Sequence, residues 1–79
     1  MYYVYILWSD TLRKKYIGVT DDLKRRFKEH NSGKSEFTSR GVSWKLLYYE
    51  AFISRNKAEE EELFLKSGKG RERLKYLFG

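Results

Sequence analysis

From Tyr2 to Trp8 the chain reads Tyr-Tyr-Val-Tyr-Ile-Leu-Trp, apolar on both faces of an extended segment and rich in aromatic and β-branched residues. That pattern predicts a central strand, because an edge or half-exposed strand would alternate with polar residues. Tyr3, Tyr5 and Leu7 share one face of it. Ser9 to Lys15 is polar and carries Asp10-Thr11, which predicts a turn. The short apolar run Tyr16-Ile17-Gly18-Val19 then returns as a second strand of an antiparallel hairpin. A glycine inside that run marks a place where another group comes close to the backbone.

Thr20-Asp21-Asp22 supplies a helix start from about Asp22, with Thr20 or Asp21 as cap and the acids suited to the N-terminal dipole. Leu23, Arg26, Phe27 and His30 fall at i, i+3, i+4 and i+7, on one face. Asn31-Ser32-Gly33 ends the helix, with Gly33 as a left-handed cap. Lys34 to Ser43 lacks periodicity and reads as a loop, in which Thr38 and Arg40 either touch phosphate or are simply solvated. Trp44 to Phe52 is a third strand, dense in aromatics. Ser54 caps a second helix, with Ile53 and Ala58 placed for a hydrophobic staple. On that helix Ala58, Glu61, Glu62 and Leu65 lie on one side, while Glu59 and Glu60 point outward. Ser67-Gly68-Lys69-Gly70 breaks it, and a last helix from about Arg71 buries Leu74, Leu77 and Phe78.

These elements give an α+β chain, a three-stranded antiparallel sheet flanked by helices in the order β-β-α-β-α-α. At 79 residues there is room for one domain, 1–79, with one modest core. Aromatic residues make up 18% of the chain and supply much buried area per residue. With no cysteine and one histidine, disulfides and Cys/His zinc sites are excluded, and a bound metal would be a hard cation on carboxylate oxygen. No apolar run reaches membrane-spanning length and no secretory leader is visible, so the expectation is a soluble, cytoplasmic protein with no membrane partner.

Charge narrows the function. Seventeen Lys+Arg against eleven Asp+Glu leave a net +6, and four of the acids sit together at Glu59 to Glu62. A basic surface with one acidic spot suits a binder of polyanions that also carries a metal or catalytic carboxylate. The bland alternative is solvated charge around an acidic helix. The first helix poses the same choice, since its apolar face also carries Arg26 and the only histidine, His30. Either the arginine snorkels past the core, or it is a guanidinium held rigidly beside a phosphate.

Tyr3-Val4-Tyr5, then Tyr16-Ile17-Gly18 after a short polar turn, then Arg26 ten residues beyond Tyr16, resemble the GIY-YIG endonuclease domain. Asp22-Leu23-Lys24-Arg25-Arg26 with Glu29-His30-Asn31-Ser32-Gly33 resembles its small stand-alone members, related to the nuclease module of the excinuclease C subunit of DNA repair. Ser54-Arg55-Asn56-Lys57-Ala58, followed by Glu62 and Lys66, resembles the segment carrying the family's metal-binding glutamate. Lys66 to Glu72 resembles the ending of the small members. The resemblance implies a metal-dependent DNA endonuclease that hydrolyses phosphodiester bonds. It implies that a tyrosine of the first two motifs, Tyr5 or Tyr16, helps to activate water while the other positions it, that Arg26 stabilises the phosphate, and that His30 is the histidine following it on the same helix. Glu62 would bind one Mg²⁺ or Mn²⁺. These groups are expected to converge on one pocket beside the sheet.

The chemistry suits those residue types. Phosphodiester cleavage places charge on equatorial oxygens, at which a fixed guanidinium and a cation can be aimed. A phenol, with an ordinary pKa of about 10, is a poor base unless nearby cations stabilise the phenolate. The sequence departs from the family at Tyr3, where the first motif has glycine, and at Val19, where the excinuclease module has lysine. The glutamate run leaves Glu61 and Glu62 both open as metal ligand. With no second DNA-binding domain, cleavage is expected to select structure (duplex, branched or damaged DNA) over sequence. The alternatives are a non-catalytic nucleic-acid-binding module on the same scaffold, and a subunit active only with a partner.

Overall fold

The apolar strand Tyr2–Ser9 (β1) lies in the middle of a three-stranded antiparallel sheet, between Lys14–Thr20 (β2) and Lys45–Phe52 (β3), in the order β2-β1-β3. Its side chains go both ways. Val4 and Ile6 join Ala58, Leu65 and Leu74 in one buried cluster, while Tyr5 and Leu7 join Trp44 in another on the opposite face. This is why the strand is apolar throughout. The computed structural model describes residues 1–32 and 43–78, so the expected cap at Gly33 and the loop residues Thr38 and Arg40 lie outside the described residues.

The helices are α1 (Leu23–Asn31), α2 (Arg55–Leu65) and α3 (Gly68–Phe78), completing the expected order. α1 covers the Tyr5 face with Leu23, Phe27 and His30. Its cap is Asp22, one or two residues later than expected, with its carboxylate accepting from the Arg25 N–H at 3.0 Å. Thr20 serves instead in the turn before it, its hydroxyl accepting from the Asp22 N–H. The hairpin turn ends at Arg13, which takes a positive φ of 54° as its N–H reaches back to the Ser9 carbonyl.

α2 covers the other face. Ser54 caps it through the Lys57 N–H, and Ala58 and Leu65 are buried between half-buried Glu61 and Glu62, as the spacing predicts. The staple does not form, because Ile53 is 88% exposed. The glycine-rich stretch also behaves differently from expectation. The break falls at Lys66-Ser67, and Gly68 and Gly70 are inside α3, which therefore begins three residues earlier than expected. A side chain on Gly70 would collide with the backbone of Phe64 and Leu65, so this glycine permits a close helix crossing. Leu74 is buried, whereas Leu77 and Phe78 stay partly exposed at 41% and 37%. Phe78 packs edge-on against Tyr48. Among the described residues no helix is long and apolar enough to cross a membrane.

Candidate active site

Tyr5 and Gly18 face each other across β1 and β2. The phenol of Tyr5 lies over the glycine so closely that a Cβ there would stand 2.6 Å from its hydroxyl. From that position the hydroxyl is hydrogen-bonded to Nε2 of His30 at 2.8 Å, and both residues are 1% exposed. Tyr16, one step before Ile17 on the edge strand and half-buried, packs its ring 4.7 Å from the His30 ring and 6.4 Å from that of Trp44. Tyr5, Tyr16 and His30 thus form one aromatic cluster under α1.

Arg26 closes the cluster. Its guanidinium interacts with the phenol oxygens of both Tyr5 and Tyr16 and forms an ion pair with Glu29 at 3.1 Å. Burial opposes its charge, but Glu29 and the Tyr5 phenol outweigh burial and hold its pKa above the usual value. The charge of Arg26 acts on its neighbours in turn. Burial, then Arg26, press His30 down to about 4, with Glu29 opposing. Burial pushes Tyr5 up to about 12 despite the pull of Arg26. His30 and Tyr5 are therefore both neutral across the physiological range, held as a hydrogen-bonded pair.

The expected residues come from the two faces of the sheet. Tyr5, Tyr16, Arg26 and His30 lie on the α1 face, while Glu62 rises from α2 on the opposite face. Glu61 and Glu62 flank the Ala58–Leu65 stripe on its two sides, about 100° apart on the helix. Glu61 leans towards β3, where its carboxyl lies beside that of Glu50 and pairs with Arg73 at 3.5 Å. Glu62 is left on the β2 side, paired with Lys66 at 3.0 Å. Since Glu50 and Val19 are both in register with Val4, this turn of α2 stands level with the middle of β2. The carboxylate of Glu62 and the phenol cluster are therefore separated by the edge strand, and the way between them runs around that edge.

The register of the acids is also informative about metal binding. Glu61 is committed to Glu50 and Arg73, and the carboxyl neighbour raises it to about 7. A carboxyl that holds its proton so firmly is a poor cation ligand. Among the described residues no three acids or histidines converge. A cation at Glu62 would thus have one protein carboxylate and otherwise water and substrate oxygen, which suits magnesium.

A residue the pattern did not single out holds this side together. The Asn31 side chain accepts from the Trp44 N–H at 2.7 Å and donates to the Trp44 carbonyl at 3.2 Å, tying the end of α1 to the start of β3. In the sequence it reads only as a helix-stop residue; its pairing is with a backbone thirteen positions away, which periodicity does not reveal.

The chain matches the model of the GIY-YIG catalytic domain over residues 1–75. It belongs to the GIY-YIG family. A UPF0213 protein encoded in the ldhD 5′ region of Pediococcus acidilactici is 40% identical over 81 residues, covering 96% of this chain and 80% of the relative. A UPF0213 protein of Streptococcus agalactiae serotype V is 41% identical over 63 residues, covering 78% and 72%. The solution NMR structure of the UPF0213 protein BH0048 from Bacillus halodurans superposes with a TM-score of 0.59 at 36% identity, covering all of this chain and 87% of that one. As a GIY-YIG domain the chain is of nuclease type, and a nucleic acid is the general class of substrate. In this family setting the YIG glycine, Gly18, acquires a local physical reason: it makes room for the phenol of Tyr5.

Proposed function

We propose that this protein is a metal-dependent endonuclease that hydrolyses DNA phosphodiester bonds at the edge of β2. The observation that carries the reading is the guanidinium of Arg26, half-buried and held beside two phenols and a neutral histidine. A cation that merely covered a core would not need that company. Arg26 binds the equatorial oxygens of the scissile phosphate and stabilises the charge that grows there. Tyr16, half-exposed on the edge strand beside Arg26, is placed to take the proton of the attacking water. Tyr5, sealed from solvent and hard to ionise, positions Arg26 and His30. Glu62 would hold a Mg²⁺ or Mn²⁺ ion, which when bound polarises the phosphate from the β2 edge. Lys66 must first release the carboxylate oxygen it holds.

Contacts of this kind read phosphate rather than bases, so the preferred substrates are duplex, branched or damaged DNA selected by shape. The test is nicking of supercoiled plasmid with and without Mg²⁺ by the wild type, Glu62→Ala and Glu61→Gln. The expected result is Mg²⁺-dependent nicking that Glu62→Ala abolishes and Glu61→Gln keeps, with DNA retention intact in both. Wild-type nicking that persists in Glu62→Ala overturns the metal role. A second reading, a binding module without catalysis, is favoured by the Lys66 ion pair on Glu62 and by the high pKa of Tyr5. It predicts salt-sensitive DNA binding and no nicked product under any metal.

A further inference from the structure

On the face of the sheet away from the phenol cluster, β2, α2 and α3 enclose a groove of about 580 Å³. Its floor is apolar, formed by Ile17, Leu65 and Leu74, and its walls carry Lys15, Lys66, Arg71 and Lys75 with one acid, Glu72. Lys66 is bound to Glu62 and Lys15 lies over the Phe78 ring at 5.9 Å. Among the described residues Lys15, Arg71 and Lys75 have no carboxylate partner, and they are the cations without one that meet in a single concavity. Three uncompensated cations around one concavity attract an anion more strongly than the same charges scattered over a surface.

The location identifies the anion. Along β2 successive side chains point to opposite faces, so Lys15 and Ile17 belong to the groove while Tyr16 and Gly18 belong to the phenol cluster. One edge strand therefore separates two cationic surfaces, Arg26 on one side and the Lys15–Arg71–Lys75 group on the other. Duplex DNA presents two rows of phosphates across grooves about 6 and 12 Å wide, and rows so spaced can straddle a single strand and the side chains on its two faces. A single phosphate or a lone anionic metabolite would meet only one of the two surfaces.

We propose that this groove is a second phosphate-binding track, in which Lys15, Arg71 and Lys75 hold the backbone of duplex DNA across the β2 edge from the phosphate at Arg26. The track positions and does not cleave. It gives a role to the stretch from Lys66 to Glu72, where Ser67 caps α3 by accepting from the Gly70 N–H, and Gly70 lets that helix lie close enough to α2 to form the groove. This deepens the proposed nuclease reading but is measured separately from it.

The experiment is the salt dependence of binding to a short fluorescent duplex, without metal, by anisotropy. Removing one lysine or arginine that neutralises a phosphate lowers the slope of log K against log salt by about 0.9 for duplex DNA. The triple variant Lys15→Gln, Arg71→Gln, Lys75→Gln is expected to lower the slope by about 2 to 3. A control removing three charges elsewhere, Lys45→Gln, Arg55→Gln, Lys57→Gln, is expected to lower it by less than about 1. Equal decreases in the two variants, or none in the first, overturn the track, leaving only the general charge of the chain. Circular dichroism and melting of the groove variant verify that it is folded. If it is not, single substitutions at Lys15 and Lys75 replace it, each expected to lower the slope by about 1, and unchanged slopes overturn the track equally. Nicking at saturating protein separates the two readings. Wild-type nicking with an unchanged slope in the variants removes the track alone, while a lowered slope without nicking by the wild type removes the nuclease reading alone.

Discussion

The Tyr5 hydroxyl and the His30 Nε2 lie 2.8 Å apart in the interior, a long-range pair that joins β1 to the last turn of α1. Neither group reaches solvent, and each is neutral because charging it there is costly. The pair fixes the helix that bears Arg26. It is in this sense that the buried phenol serves the site.

Titration of stability exposes that arrangement. In the unfolded chain a histidine titrates near 6.5, and in the fold His30 does so at about 4. The unfolded chain thus binds more protons in that interval, and the contribution of His30 is complete above 6.5 and lost as pH falls towards 4. Glu61 has the opposite sign. Raised from 4.5 to about 7 by Glu50, it contributes fully below 4.5 and the contribution is lost as pH rises through 7. Between the two ranges they offset one another. Urea unfolding in metal-free buffer should show a nearly flat wild-type profile from pH 4.5 to 6.5. His30→Gln should make stability fall with pH there, and Glu61→Gln should make it rise, by up to about 1.4 kcal/mol per pH unit. Parallel profiles in the two variants contradict these assignments.

Gly18→Ala places a methyl group 2.6 Å from the Tyr5 hydroxyl and 3.0 Å from Cε1 of Tyr16. The rings must shift, and overpacking of this kind costs about 1–3 kcal/mol. A melting temperature lower by roughly 5 to 20 °C is expected for a chain of this size. Nicking should fall by about 100-fold even at temperatures where the variant is fully folded, because displacement of about 1 Å at a site costs that much. Retention of wild-type nicking would show that the phenol position is immaterial.

Gly70→Ala meets main chain rather than flexible side chains, at Phe64 and Leu65. Backbone cannot swing aside, so the loss should be at the upper end of the overpacking range, about 3 kcal/mol or more. Hydrogen exchange is expected to show α3 losing protection before the sheet does. The neighbouring Gly68→Ala is the control, with nothing within 4 Å of the added methyl, and it should be neutral or slightly stabilising.

Arg26→Lys keeps the charge and loses the planar fork that engages Glu29 and the phenols together. A fall in kcat of about 100-fold or more is expected, with DNA affinity changed little. Tyr16→Phe should lower kcat comparably. Tyr5→Phe retains the ring and loses the His30 bond, so it should cost stability and a smaller part of the rate. Equal loss of kcat in the two tyrosine variants, with Tyr5→Phe fully stable, would reverse the roles given to the two phenols.

The order of elements was legible in the sequence because it depends on local period: an apolar strand, a hairpin turn, and helices with starting signals at Thr20-Asp21-Asp22 and Ser54, although the first cap fell at Asp22 rather than at Thr20 or Asp21. The family was legible too, through the order and spacing of Tyr5, Tyr16, Gly18 and Arg26. Where those residues end up relative to one another was not. Two-fold alternation along β1 and β2 sends neighbouring side chains to opposite faces, and sequence spacing does not tell which helix covers which face. Only the tertiary structure decided that Tyr5 is sealed against Gly18, that Asn31 grips Trp44, that Glu61 is taken by Glu50 and Arg73, and that Glu62 stands across the edge strand from Arg26. The reason is physical: each of these depends on contacts between segments distant in the chain, and such contacts are set by how the helices pack on the two sides of the sheet.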